Sequence, residues 1–244
     1  MKKNDVSKWL KIELVLLLVI GIVVIMNQVS INNLATGVAG CVGGVVKETT
    51  KTDSLELSDD AVTVEFYVMS QCPYGTQVED AIAPVLKSLG ENVDFQLNFI
   101  GNNQGGELSS MHGQTEVDGA VVHLCAKKYE PVKYIDLITC MNKNAKAIPG
   151  NWKGCAEENG LDVETIEDCY LGEEGQQLTA ASFDAASAKG ARGSPTIYLN
   201  GVPYKGQRTS QGFQQAICAE FADAPEACGD VVANSGSAVP SGNC

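Results

Sequence analysis

From position 62 to position 69 the chain reads Val-Thr-Val-Glu-Phe-Tyr-Val-Met, β-branched and aromatic enough to predict a buried strand. Gln71-Cys72-Pro73 comes next. It puts a proline where a helix can begin, because the first helical residues have no intrahelical use for an N–H. Val78, Ile82, Val85, Leu86 and Leu89 then recur at helical spacing, and Gly90 closes the run. Val93 to Phe99 alternates like a second strand. Strand, helix and strand in this order imply a parallel pair joined by a crossover helix.

From about Glu116 to Gly190 the pattern changes to helical spacing. It predicts helices over 117–129, 132–142, 152–159, 163–171 and 173–189. Strand character returns at Thr196 to Leu199, followed by an Asn200-Gly201 turn and Val202 to Tyr204, a hairpin signal. A last helix is predicted over 210–221. A helical block, about 107–190, is thus inserted between β-α-β and β-β-α halves of a mixed α/β domain spanning 61–228. Residues 36–60 read as a linker and 229–244 as a loose Gly/Ser/Ala-rich tail.

The first 35 residues read differently. Lys2, Lys3, Lys8 and Lys11 precede an uninterrupted apolar run from Leu14 to Met26, and the next lysine is Lys47. By the positive-inside rule the amino terminus stays in the cytoplasm and the domain lies outside. With the flanking apolar residues counted, the run is long enough for an uncleaved single-pass anchor over 1–35. A cleaved signal peptide is one alternative. Lipidation of Cys41 in the lipobox-like Val38-Ala39-Gly40-Cys41 is another, and it would also tether the chain.

Charge narrows the partners. Removing the six basic and three acidic residues of 1–51 from the chain's 17 and 30 leaves 11 against 27, a balance that repels phosphate backbones. Nucleic acid is therefore not an expected partner. Nine cysteines accompany just two histidines, His112 and His123, without zinc-ligand spacing. No metal or cofactor is expected. Scattered cysteines fit a disulfide framework in an oxidising, extracytoplasmic compartment.

Cys72 is the cysteine placed for chemistry. At the first turn of a helix it faces unpaired N–H groups and the positive end of the helix dipole, which favour the nucleophilic thiolate. Its local sequence, Cys72-Pro73-Tyr74-Gly75, resembles the thioredoxin-fold C-x-x-C site with Gly75 in place of the second cysteine. The element order likewise resembles the thioredoxin fold with the helical insertion of the disulfide-oxidase (DsbA) family. In such proteins a cis-proline packs beside the active cysteine and the residue before it pairs with the substrate backbone. Ser194-Pro195, ahead of a strand, matches by position.

The insertion carries a second resemblance. Ser110-Met111-His112-Gly113-Gln114-Thr115-Glu116, with Cys125 after it, is similar to the C-Q-H-G-x-x-E-C signature of the gamma-interferon-inducible lysosomal thiol reductase (GILT) family. The likeness continues to Cys228, although Ser110 and Val117 replace both signature cysteines. It implies that Cys125, Cys140, Cys155, Cys169, Cys218 and Cys228 are structural, with Cys218–Cys228 the natural pair and three connectivities open for the other four. Cys41, Cys72 and Cys244 remain. His112 invites an acid/base role by its signature position, set against a purely local structural one. His123 and Trp152 read as packing residues.

The expected activity is thiol–disulfide exchange on protein disulfides through one nucleophile, Cys72, with Ser194 and Pro195 holding the substrate strand. Release would come from an external thiol or a membrane redox partner, which suits an isomerase or monothiol reductase. A variant gives the resolving role to Cys41 or Cys244. The alternatives are a non-enzymatic module that escorts cysteine-containing clients and a purely structural domain with an unreactive Cys72.

Overall fold

A computed structural model describes residues 56–230, 232, 233 and 244, all within the compact unit Lys51–Cys244. Strand β1 (Val62–Val68) pairs in parallel with β2 (Val93–Phe99), from Val62 opposite Val93 to Val68 opposite Phe99. Helix α1 (Pro73–Leu89) forms the crossover. On the other side of β1 lies antiparallel β5 (Thr196–Leu199), then β6 (Val202–Pro203), giving the order β2-β1-β5-β6. The turn between β5 and β6 has Asn200 and Gly201 at positive φ, and the Asn200 side chain also accepts a hydrogen bond from Thr63 N at 3.0 Å.

Two faces of β1 follow from the period-two alternation of side chains. Val62, Val64, Phe66 and Val68 face the main core, where they meet Val78 and Ile82 of α1 and Phe213 and Ile217 of α7 (Ser210–Cys218). Phe66 stands edge-on to Phe95 with centroids 5.1 Å apart and lies 5.4 Å from Phe213. Fully burying such a side chain contributes about 1.5–3 kcal/mol. Tyr67 and Met69 point the other way, into a smaller apolar cluster with Ile100, Ala186, Ala191 and Cys72.

The insertion comprises α2 (Gln114–Tyr129), α3 (Tyr134–Asn142), α4 (Trp152–Glu158), α5 (Val163–Leu171) and α6 (Glu173–Ala188). Disulfides join α2 to α5 through Cys125–Cys169 and α3 to α4 through Cys140–Cys155, with Cα atoms 5.8 and 5.6 Å apart. Cys218–Cys228 ties α7 to the segment after it. His123 is fully buried beside the Phe99 ring, and burial holds its imidazole down at about 3, in the neutral form. Trp152 is buried with its ring edge-on to Tyr170.

Several boundaries differ from the pattern. Helix α2 starts at Gln114, three residues before the apolar spacing begins, because its first turn is polar and the spacing registers just the buried face. The last helix stops at Cys218 instead of reaching residue 221. A small hairpin, β3 (Asn102–Gln104) and β4 (Glu107–Ser109), opens the insertion. Its short strands lack alternation, yet Gly105-Gly106, both at positive φ, is a recognisable turn signal. Order also continues past residue 228, with Val232 buried against the core, so the segment after that point is not loose throughout. Among the described residues no helix is long and apolar enough to cross a membrane. The proposed anchor at 1–35 and Cys41 lie outside the described residues.

Candidate active site

Strand β1 ends at Val68, and Met69-Ser70-Gln71 turns the chain into α1. Cys72 is the N-cap of that helix, with extended φ −73° and ψ 123°, and Pro73 follows as its first residue. The turn is closed by Cys72 N donating to Met69 O at 3.1 Å and Thr76 N donating to Cys72 O at 2.9 Å. No side chain caps the helix, so its first N–H groups leave a positive end beside the cysteine. Cys72 is fully buried, Pro73 is exposed and Tyr74 is half-buried against the smaller apolar cluster.

Behind the turn sits Glu116, which the sequence pattern placed in a signature without giving it a role. Its buried carboxylate accepts hydrogen bonds from Gln71 N at 3.2 Å, His112 N at 3.2 Å, the Ser110 hydroxyl, and His112 Nδ1 at 2.8 Å. Its backbone carbonyl accepts from Ser70 Oγ at 2.8 Å. Gln71 is held further by donating to Ile148 O at 2.6 Å and accepting from Thr115 Oγ1 at 3.2 Å. Glu116 thus joins the turn before Cys72 to the His112 loop. His112 donates to Glu116 and not to Cys72, so its link to the thiol runs through Glu116 and Gln71. Gly119 allows this approach: a Cβ there would lie 2.5 Å from Ser70 Oγ and 2.6 Å from the Ile148 side chain.

Gly75 occupies the position of the missing second cysteine, and its surroundings are full. A Cβ at Gly75 would lie 2.6 Å from Ser194 Oγ, 3.0 Å from Met69 O and 3.3 Å from Val68 Cβ. The Ser194 hydroxyl, fully buried, accepts a hydrogen bond from Met69 N at 2.9 Å. Ser194 therefore spans the site: its side chain fills the space beside Gly75, while its carbonyl oxygen lies 3.7 Å from Cys72 Sγ. The Ser194–Pro195 peptide is cis and Pro195 is buried.

Cys72 is disulfide-bonded to Cys244, 172 positions away, with Cα atoms 6.2 Å apart. Cys244 N also donates to Ser194 O at 3.3 Å. Its side chain packs against the smaller apolar cluster, of which Cys72 is itself a member. The structure therefore brings together Cys72, Gly75, Ser194, Pro195 and Cys244. The other six described cysteines pair among themselves in the insertion and beside α7.

Comparison with known proteins agrees with this architecture. Residues 63–159 match the family model of gamma interferon inducible lysosomal thiol reductase (GILT). Oxidised BdbD from Bacillus subtilis superposes with a TM-score of 0.53 at 18% identity, covering 68% of this chain and 90% of that one. Reduced DsbA from Mycobacterium tuberculosis gives 0.52 at 16% identity, covering 70% and 93%. In sequence, 164 residues are 23% identical to the Na(+)/H(+) antiporter NhaA 3 of Salinispora tropica, covering 67% of this chain. The chain spans about a quarter (24% and 23%) of the length of the curated relatives it matches.

The chain is a thioredoxin-fold protein, with a mixed α/β sheet and an inserted block of helices. Within that fold, residues 63–159 are similar to the GILT family, and the chain is similar in architecture to BdbD and DsbA. Residues 160–228, over which the cysteine spacing predicts a continuation of that likeness, fall beyond the matched segment.

Proposed function

We propose that the chain is an extracytoplasmic, membrane-held thiol–disulfide oxidoreductase or isomerase in which Cys72 is the single nucleophile toward protein disulfides. The observation that carries this reading is the placement of Cys72 as an uncapped helix N-cap, in sulfur–sulfur linkage beside Ser194-Pro195. The helix end favours negative charge on sulfur, the charge that an attacking or departing Cys72 thiolate carries. The thiolate attacks one sulfur of a substrate disulfide, forms a mixed disulfide and expels the other substrate sulfur as thiolate. A second thiol then attacks the mixed disulfide, freeing Cys72 if it comes from the substrate or an external donor. Ser194 O is the acceptor available to a substrate backbone N–H at that point, and Glu116 keeps the turn in place through Gln71. The lysines preceding Leu14 to Met26 and the four disulfides among the described residues support a membrane-held domain in an oxidising compartment.

The test compares the wild-type chain with Cys72→Ser in insulin-disulfide reduction and in rescue of a scrambled disulfide substrate, with glutathione as the external thiol. Wild-type activity that disappears in Cys72→Ser supports the proposal. No turnover by the wild type, with client binding unchanged in the variant, replaces it with the escort module. Equal activity in both proteins removes Cys72 from the chemistry.

A further inference from the structure

We propose that Cys244 is the redox partner of Cys72, a built-in substitute for the cysteine missing at Gly75, and that it closes the site by taking the position a substrate would occupy. The inference rests on the reading of Cys72 as the nucleophile and adds the residue that controls it.

Three observations point the same way. The usual place for a second cysteine is sterically closed, since any side chain at Gly75 runs into Ser194 Oγ and Met69 O. Cys72 is nevertheless disulfide-bonded, to Cys244. And Cys244 does more than supply sulfur: its backbone N–H is hydrogen-bonded to Ser194 O, 3.7 Å from Cys72 Sγ, and its side chain packs against the smaller apolar cluster to which Cys72, Tyr67 and Met69 belong. A client joined to Cys72 needs the same three things, a sulfur on Cys72 Sγ, a partner for its backbone N–H and an apolar surface for its side chain. While Cys244 holds them, Cys72 is fully buried and masked.

The chain connection allows this arrangement. Eleven residue steps separate Ala233 from Cys244, a reach of up to about 36–40 Å when extended. A cysteine tethered in this way meets Cys72 at an effective concentration on the order of millimolar, so it competes with dilute clients without needing a better fit.

The exchange balances as follows. An external dithiol reduces Cys72–Cys244 to two thiols and becomes a disulfide itself. Cys72 thiolate then attacks a client disulfide, giving a mixed disulfide and one client thiolate. Cys244 thiolate attacks Cys72 Sγ, the Cys72–client bond breaks, and the second client sulfur leaves as thiolate. The two client thiolates take up the two protons given up by Cys72 and Cys244. The client disulfide has gained two electrons and the Cys72–Cys244 bond is restored, ready for the dithiol again.

The test uses the 244-residue chain carrying Cys41→Ser, with and without Cys244→Ser, oxidised and then treated with iodoacetamide before and after dithiothreitol. Mass spectrometry of peptides reads the modification of Cys72. The expected result is a Cys72–Cys244 cross-linked peptide, protection of Cys72 until dithiothreitol is added, and labelling of Cys72 without dithiothreitol in Cys244→Ser. With a disulfide client, Cys244→Ser should accumulate the Cys72–client mixed disulfide that the parent clears. Labelling of Cys72 that is the same in both chains, or oxidised Cys72 found free or bonded to another thiol, overturns the proposal. If Cys72→Ser abolishes turnover while Cys244→Ser changes neither labelling nor the mixed disulfide, the partner role fails and the nucleophile stands. If the Cys72–Cys244 bond forms and masks Cys72 but the reduced chain has no activity on clients, the nucleophile reading fails and the bond remains a structural closure.

Discussion

Gly75→Ala is the most direct probe of why this site lacks a neighbouring second cysteine. The added Cβ would stand 2.6 Å from Ser194 Oγ and 3.0 Å from Met69 O, both inside ordinary contact distance. Met69 O is backbone and does not yield cheaply, and overpacking of this kind costs about 1–3 kcal/mol. Ser194 can yield by turning its hydroxyl away, which breaks the 2.9 Å bond from Met69 N and leaves a buried donor unpaired, at about 1–3 kcal/mol. Alanine in place of glycine in a helix returns about 0.5–1 kcal/mol. The net expectation is a loss of about 2–4 kcal/mol, read from urea unfolding followed by far-ultraviolet circular dichroism under non-reducing conditions. Ser194→Ala removes the obstructing oxygen at a cost of about 1–3 kcal/mol for the lost bond. In the double variant the serine part of the clash is gone, so its cost should fall at least about 1 kcal/mol short of the sum of the two single changes. A Gly75→Ala protein as stable as wild type, or costs that add within about 0.5 kcal/mol, would refute the claim that Ser194 fills the second-cysteine position. The same geometry predicts that Gly75→Cys will not by itself create a working C-x-x-C pair.

Two further outcomes are expected. Burial pushes Glu79 up to about 8, with Asp80 adding to the rise and the Asn142 hydrogen bond opposing it, and burial holds His123 at about 3. Unfolding returns them to about 4.5 and 6.5. Below 6.5 the unfolded chain binds a proton at His123 that the native chain refuses, so stability from this group is lost as pH falls towards 3. Above 4.5 the native chain keeps a proton on Glu79 that the unfolded chain releases, so stability from this group is lost as pH rises towards 8. The two slopes cancel between 4.5 and 6.5. From 6.5 to 8 the Glu79 slope of about 1.4 kcal/mol per pH unit has no opposition from His123, and Glu79→Gln should flatten it in urea titrations across that window. The second outcome concerns Glu116→Ala, which strands the N–H groups of Gln71 and His112. It should cost about 2–4 kcal/mol and raise amide hydrogen exchange at both residues, while unchanged exchange at Gln71 would separate Glu116 from the Cys72 turn.

Much of the fold was legible because it rests on local periodicity. The alternation at Val62 to Val68 and the 3.6-residue spacing from Val78 to Leu89 are one-dimensional records of which face is buried. The β3–β4 hairpin was missed because three-residue polar strands leave no such record, although Gly105-Gly106 marked its turn. At the site, Cys72 was legible from its place at a helix start, and Ser194 and Pro195 through the resemblance to thioredoxin-like proteins. Glu116 was not, since an acidic residue in a first helical turn usually serves its own helix, and nothing in the spacing shows that this one reaches Gln71.

Local patterning is enough to set the mixed α/β order, the inserted helices and a cysteine at a helix start, because each depends on neighbours within a few residues or one repeat of a pattern. It could not choose the partner of Cys72. Cys244 follows a stretch of small polar residues with no periodicity, and disulfide pairing depends on which sulfurs the folded sheet and helices bring within bonding distance. The folded sheet and helices make that choice, by filling the space at Gly75 with Ser194 and leaving Ser194 O and the cluster around Cys72 open to a cysteine from 172 positions away.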